Sequence, residues 1–138
     1  MSSHPESRYV AAAAVQMALT PTREEEYNLK KKLAAEGIRA TAVDYGGEYG
    51  SAIQKVVERA VIAARRERVV QNEFHAEGSV AGATRDAMAQ IMPKAIGSNI
   101  GGKVGIASDG KHMAVAAFFT IGLLYLDEVA IGLGHRAI

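Results

Sequence analysis

His75-Ala-Glu77 stands directly before Gly78, with Gly82 four residues further on. Imidazole and carboxylate are both competent ligands for a divalent cation. Placed at a helix start, His75 and Glu77 would lie beside backbone N–H groups that have no intrahelical partner. A site of this kind prefers a hard cation, magnesium or manganese, to a soft one. Gly78 and Gly82 share one helix face, and each costs about 1 kcal/mol relative to alanine. They predict a close backbone approach, either plain packing or the floor of an effector pocket. A second group is Asp127-Glu128 with the tail Gly132-Leu-Gly-His135-Arg136. Its ordinary reading is a solvated turn and a surface tail. Where strand and helix meet, Glu128 or His135 would join His75 and Glu77 in a mixed carboxylate–imidazole site, with His75, Glu77 and Glu128 as the metal ligands. A third group is cationic. Arg65, Arg66 and Arg68 close one helix and Lys30 to Lys32 sit in another. Either run could meet phosphate or simply be a solvated helix end. No aromatic interleaving marks a base-stacking platform.

Composition narrows the classes. A chain of 138 residues, 49% hydrophobic, suits one domain over residues 1–138 with a core of Ala, Val, Ile, Leu and Met. Without cysteine there is no disulfide, thiolate metal site or Cys nucleophile. A net charge of +1 argues against coating nucleic acid by charge alone. The N-terminus lacks a basic start before its apolar run, so it does not read as a secretory signal. The apolar run from Met113 to Leu126 falls short of the ~20 residues that span a bilayer. A cytoplasmic protein is expected, away from membranes. No P-loop, Gly-x-Ser-x-Gly, His-Glu-x-x-His or dinucleotide fingerprint is present, so no reaction is assigned.

The elements that must position these groups follow from periodicity. Residues 6–19 read as an Ala-rich helix that stops before Pro21. Thr22-Arg-Glu-Glu25 is a capping box that opens a second helix, ended by Gly37. Residues 38–44 alternate as a strand. Ile53, Val56, Val57, Ala60, Val61 and Ala64 define an amphipathic helix capped by Ser51. A connector at 69–74 leads to a helix over about 75–96. Asp109-Gly110 predicts a type I′ hairpin with Ile106 opposite Met113 and Val104 opposite Val115. One hairpin face is then Val104, Ile106, Met113 and Val115. The other, Gly105, Ala107, Ala114 and Ala116, is nearly bare and admits a helix or another subunit. His112 would be exposed at the tip, and Val129 to His135 would form the last strand.

This order resembles the HutP family of RNA-binding antiterminators. The likeness rests on Gln54-Lys-Val-Val57, Val69-Val-Gln71, Ala83-Thr84 with Ala87-Met88, Ile100-Gly101 and the strand Lys103 to Ile106. It continues through Met113-Ala-Val115, Thr120-Ile-Gly122, Ile131-Gly-Leu-Gly134 and Ile138. The resemblance implies an α/β fold, an antiparallel four-stranded sheet with helices packed on it in the order ααβααβββ. It also implies dimers assembling to a hexamer, binding of L-histidine with a divalent cation, usually magnesium, and recognition of a leader RNA with spaced NAG triplets. The family's metal-binding histidine pair falls at Gly78 and Gly82 and its third histidine at Glu128, so the site would shift to His75, Glu77 and Glu128. The family's base-reading Glu-Thr pair falls near Val61 and Ile62, which match the buried stripe of their helix. An effector- and cation-dependent RNA-binding regulator is therefore expected. The alternatives are a ligand sensor or partner-binding module without RNA binding, and a small metal-dependent enzyme using His75 and Glu77.

Overall fold

The computed structural model describes residues 5–44, 52–70, 80–90, 101–119 and 122–130. Helices α1 (Pro5–Leu19) and α2 (Arg23–Ala35) precede strand β1 (Arg39–Asp44) and helix α3 (Ala52–Arg66). Helix α4 occupies residues 80–90. Strands β2 (Gly102–Ser108), β3 (His112–Phe119) and β4 (Leu123–Ala130) complete one antiparallel sheet in the order β1-β2-β3-β4. The expected α/β class and strand count hold.

Strand alternation sorts the sheet into two faces. Val104, Ile106, Met113, Val115, Ala117 and Phe119 pack with Val56, Ala60 and Ala64 of α3 and Val80, Ala83, Ala87 and Met88 of α4. Ala107, Ala114 and Ala116 pack with Val10, Ala14 and Met17 of α1, and Leu33 of α2 joins that cluster. The bare hairpin face is therefore taken by the chain's own helix α1, not by another subunit. A Cβ built on Gly105 would collide with the Ala14 carbonyl oxygen and lie 2.7 Å from the Ala18 nitrogen. Gly105 sets how closely α1 approaches the sheet.

Two helices end in the same motif with different residues. At the end of α2, Gly37 N–H donates to the Ala34 carbonyl (3.0 Å) and Ile38 N–H to Leu33 (2.9 Å). At the end of α3, Arg68 N–H donates to Arg65 (3.1 Å) and Val69 N–H to Ala64 (2.8 Å). Both are Schellman closures, which require a left-handed residue. Gly37 supplies it at φ +85°, whereas Arg68 is forced to φ +60°. A side chain in that region costs about 1 kcal/mol. Arg68→Gly should therefore raise stability by about 1 kcal/mol in urea denaturation, with an unchanged m-value.

The hairpin departs from its predicted register. Ile106 faces Val115, Val104 faces Ala117 and Ser108 faces Met113. The faces survive because the slip is an even number of residues. The loop is Gly110-Lys111 rather than Asp109-Gly110: Asp109 N–H donates to the His112 carbonyl (3.2 Å). Only Gly110 has positive φ there, +94°, which fits a type II′ loop and not type I′. Asp109 is diverted into capping the loop. Its Oδ1 accepts from the N–H groups of Lys111 (2.9 Å) and His112 (2.7 Å), and Oδ2 lies 3.3 Å from His112 Nδ1. His112 is thus partly buried and held, not free at the tip.

Burial alone would raise the Asp109 pKa, but the hydrogen bonds from His112 and Lys111 outweigh it and hold the carboxyl below its ordinary value of 3.8. A depressed folded value stabilises the protein above that pH, and the gain is lost as pH falls through the folded value. Asp109→Asn should cost about 1 kcal/mol at neutral pH. That difference should shrink below pH 3.8 when denaturation midpoints are compared across pH.

The last strand also differs from expectation. It begins at Leu123 rather than Val129 and is described as far as Ala130; residues 131–138 lie outside the described ones. Gly122 N–H donates to the Phe119 carbonyl (2.8 Å) just before it. Gly122, at φ +96°, thus turns the chain into β4, the partner of β3.

Candidate nucleic-acid interface

α2 and α3 face each other across the β1 edge. Arg23, Glu26, Tyr27 and Lys30 of α2 line one wall, and Arg59, Ile62, Ala63 and Arg66 of α3 line the other. Both sets follow the i, i+3, i+4, i+7 spacing of one helical stripe. Ala42, Val43 and Asp44 of β1 form the floor of this groove of about 670 Å³. Antiparallel hydrogen bonding alternates. The Asp109–His112 bond fixes its phase, so the backbone groups of Ala42 and Asp44 point away from β2 into the groove.

The charges are unevenly spent. Lys103 is only 13% exposed at its side chain and sits 3.3 Å from Glu26 and 3.9 Å from Asp44. Its ammonium also donates to the Thr20 carbonyl (2.9 Å) and to Thr20 Oγ1 (3.2 Å), tying the end of α1 to β2. Lys30 lies 3.9 Å from Glu26 and 3.5 Å from Glu67. The groove's two carboxylates are thus neutralised within the fold. Arg23, Arg59 and Arg66 are exposed and form no ion pair among the described residues. Two apolar side chains rise between these cations: Tyr27 is 60% exposed and Ile62 53% exposed. Lys31 lies 5.3 Å from the Tyr27 ring centroid. A groove with unpaired guanidinium groups, an exposed ring and strand-edge backbone groups can hold a phosphate backbone and stack or hydrogen-bond unpaired bases.

Of the three arginines singled out by sequence, Arg66 lines this groove and Arg65 and Arg68 do not. Reasoning from the run itself misses Arg23, Arg59 and Tyr27. The signal that marks them is the repeat of the i, i+3, i+4, i+7 spacing in two helices. Ile62 does not join the buried stripe of its helix; it stands on the groove wall.

The expected metal and effector group is less complete. His75, Glu77, Gly78 and His135 lie outside the described residues. Glu128 is exposed and pairs with Ala114 on the α1 face, whereas Gly82 belongs to α4 on the opposite face. Within one protomer the sheet separates them. Asp127, one residue earlier, pairs with Val115 and so faces the α4 side. Burial and the nearby Asp86 carboxylate push its pKa above 3.8, partly offset by the Glu128 N–H. Alternation explains the displacement: a one-residue shift reverses the face. No described atom lies within 4 Å of the Cβ position on Gly82, so that glycine is not needed for close packing against the described residues. Among the described residues, no three His, Asp or Glu side chains converge on a point that could hold a metal. None of their helices is long and apolar enough to cross a membrane.

The fold is a small α/β domain, with a four-stranded sheet between two helical layers and a groove bearing exposed arginines at one edge. The HutP family model matches residues 10–136, nearly the whole chain, and the chain belongs to the HutP family. No curated protein is matched.

Proposed function

We propose that this protein is a HutP-like antiterminator that binds single-stranded leader RNA in the α2–α3 groove. The observation that carries the reading is the pair of facing helical stripes, with Arg23, Arg59 and Arg66 exposed over the β1 edge and in no ion pair among the described residues. At a formal charge of +1, one protomer has a weak field. Repetition of the groove in a homo-oligomer, dimers building to a hexamer, supplies avidity without any new interaction. The protein acts by binding, in the cytoplasm, and catalyses no reaction. The effector part, L-histidine with magnesium or manganese, rests on family membership. Family alignment places the third ligand at Glu128; within one protomer Asp127, not Glu128, is the carboxylate on the α4 face of the sheet.

The test is filter binding of an unstructured RNA carrying spaced NAG triplets, with and without L-histidine and magnesium, at several salt concentrations. Expected is binding that weakens linearly in log–log form with salt and exceeds that of duplex RNA. Equal or absent binding to both RNAs under every condition overturns the reading.

A further inference from the structure

Among the described residues β4 is one edge of the sheet, and two of its exposed side chains are large and apolar. Leu124 is 45% exposed and Leu126 37% exposed. Soluble proteins blunt such edges with lysine, proline or a bulge. This strand has neither lysine nor proline nor a bulge, and its two charges, Asp127 and Glu128, sit together beyond the leucines. Leu124 pairs directly with Phe118, and Phe118 lines an apolar cavity of about 430 Å³ together with exposed Leu19. The apolar surface is therefore continuous from α1 to the edge of β4.

No described strand pairs with the outer side of β4. Alternation along the ladders directs the peptide groups of Asp127 and Tyr125 toward β3. Those of Leu124, Leu126 and Glu128 point outward.

We propose that β4 pairs antiparallel with β4 of a second copy of this chain, about a two-fold axis through Leu126, joining the two sheets into one. The pairing rests on the oligomeric part of the function proposed above and gives it a surface. A strand meeting its own copy antiparallel is self-complementary by symmetry. With Leu126 on the axis, all three outward residues find partners: Leu126 meets the partner's Leu126, and Leu124 meets the partner's Glu128. On the other face Tyr125 stands opposite the partner's Asp127, where the phenol donates to the carboxylate. Axes through Asp127 or Glu128 would instead set like charges directly opposite, which is destabilising.

The decisive comparison uses Leu126→Lys, which places two ammonium groups on the axis, and Tyr9→Lys, at an exposed position on α1. Sedimentation velocity of the full chain at micromolar concentration should show the wild type and Tyr9→Lys as oligomers. Leu126→Lys should have half that mass or less, its dissociation constant raised on the order of 100-fold. Hydrogen exchange on the wild type gives a second readout, independent of whether Leu126→Lys folds. The amides of Leu124, Leu126 and Glu128 should be protected, more so at higher protein concentration. A monomeric wild type overturns the oligomeric reading and this pairing together. An oligomeric wild type whose three amides exchange freely, or without dependence on concentration, overturns the pairing alone. So does a folded Leu126→Lys of unchanged mass.

Discussion

Gly105→Ala should lower stability by about 3 kcal/mol, the upper end of what one added methyl costs in a filled core. The reason is the identity of the neighbours. The new Cβ would meet the Ala14 carbonyl oxygen, the Ala18 nitrogen at 2.7 Å and the Met17 Cβ at 3.0 Å. Two of these are backbone atoms of α1, which cannot rotate aside as the end of a long side chain can. Relief requires the whole helix to lift from β2 and β3. Lifting it would open the cluster of Val10, Ala14 and Met17 against Ala107, Ala114 and Ala116, all now buried. The midpoint of thermal unfolding should fall by roughly 10 °C, and the urea midpoint should move without a change in m-value. Gly82→Ala is the matched comparison, because no described atom lies within 4 Å of its Cβ position. It should raise stability by about 0.5–1 kcal/mol, since alanine favours a helix interior. A neutral Gly105→Ala would show that α1 does not press on the sheet as described.

Much of this architecture is legible in the residues because local and long-range preferences agree. Thr22 caps α2, its side chain accepting from Glu25 N–H at 3.1 Å. Val56, Val57, Ala60 and Ala64 are buried along α3 as their spacing demands. The two hairpin faces follow from alternation, and the bare one from its alanines and Gly105. The hairpin register is not legible. Asp-Gly is a strong local signal for a two-residue loop, but Asp109 spends its side chain on the N–H groups of Lys111 and His112, which moves the loop one residue along. The site is obscured for a different reason. Sequence order places Asp127 and Glu128 side by side, and only the pairing of β4 with β3 shows that they face opposite layers. Nor does a one-dimensional reading bring Arg23 and Arg59 together, since 36 positions separate them. Their nearness depends on α2 and α3 both flanking β1.

Replacing Arg23, Arg59 and Arg66 together by alanine should weaken RNA binding by at least 100-fold at moderate salt. Each exposed guanidinium that meets a phosphate releases a counterion, and for single strands the log–log salt slope falls by about 0.7 for every phosphate no longer neutralised. Three phosphates correspond to a slope change of about 2 per protomer, and the effect repeats in every copy of an oligomer. The substitutions should leave the fold intact. All three side chains are exposed and form no ion pair among the described residues, and alanine is the best helix former. Arg65→Ala with Arg68→Ala is the informative partner variant, because those residues lie outside the groove. It should reduce affinity only through the general field, by less than about tenfold, and leave the slope nearly unchanged. Tyr27→Ala separates stacking from charge. It removes an exposed ring worth about 1–3 kcal/mol per stacked base, and so should lower affinity without altering the slope. Filter binding across a salt series reads all three variants. If the triple variant keeps the wild-type slope, while Arg65→Ala with Arg68→Ala reduces it, the RNA runs along the end of α3 and not between α2 and α3.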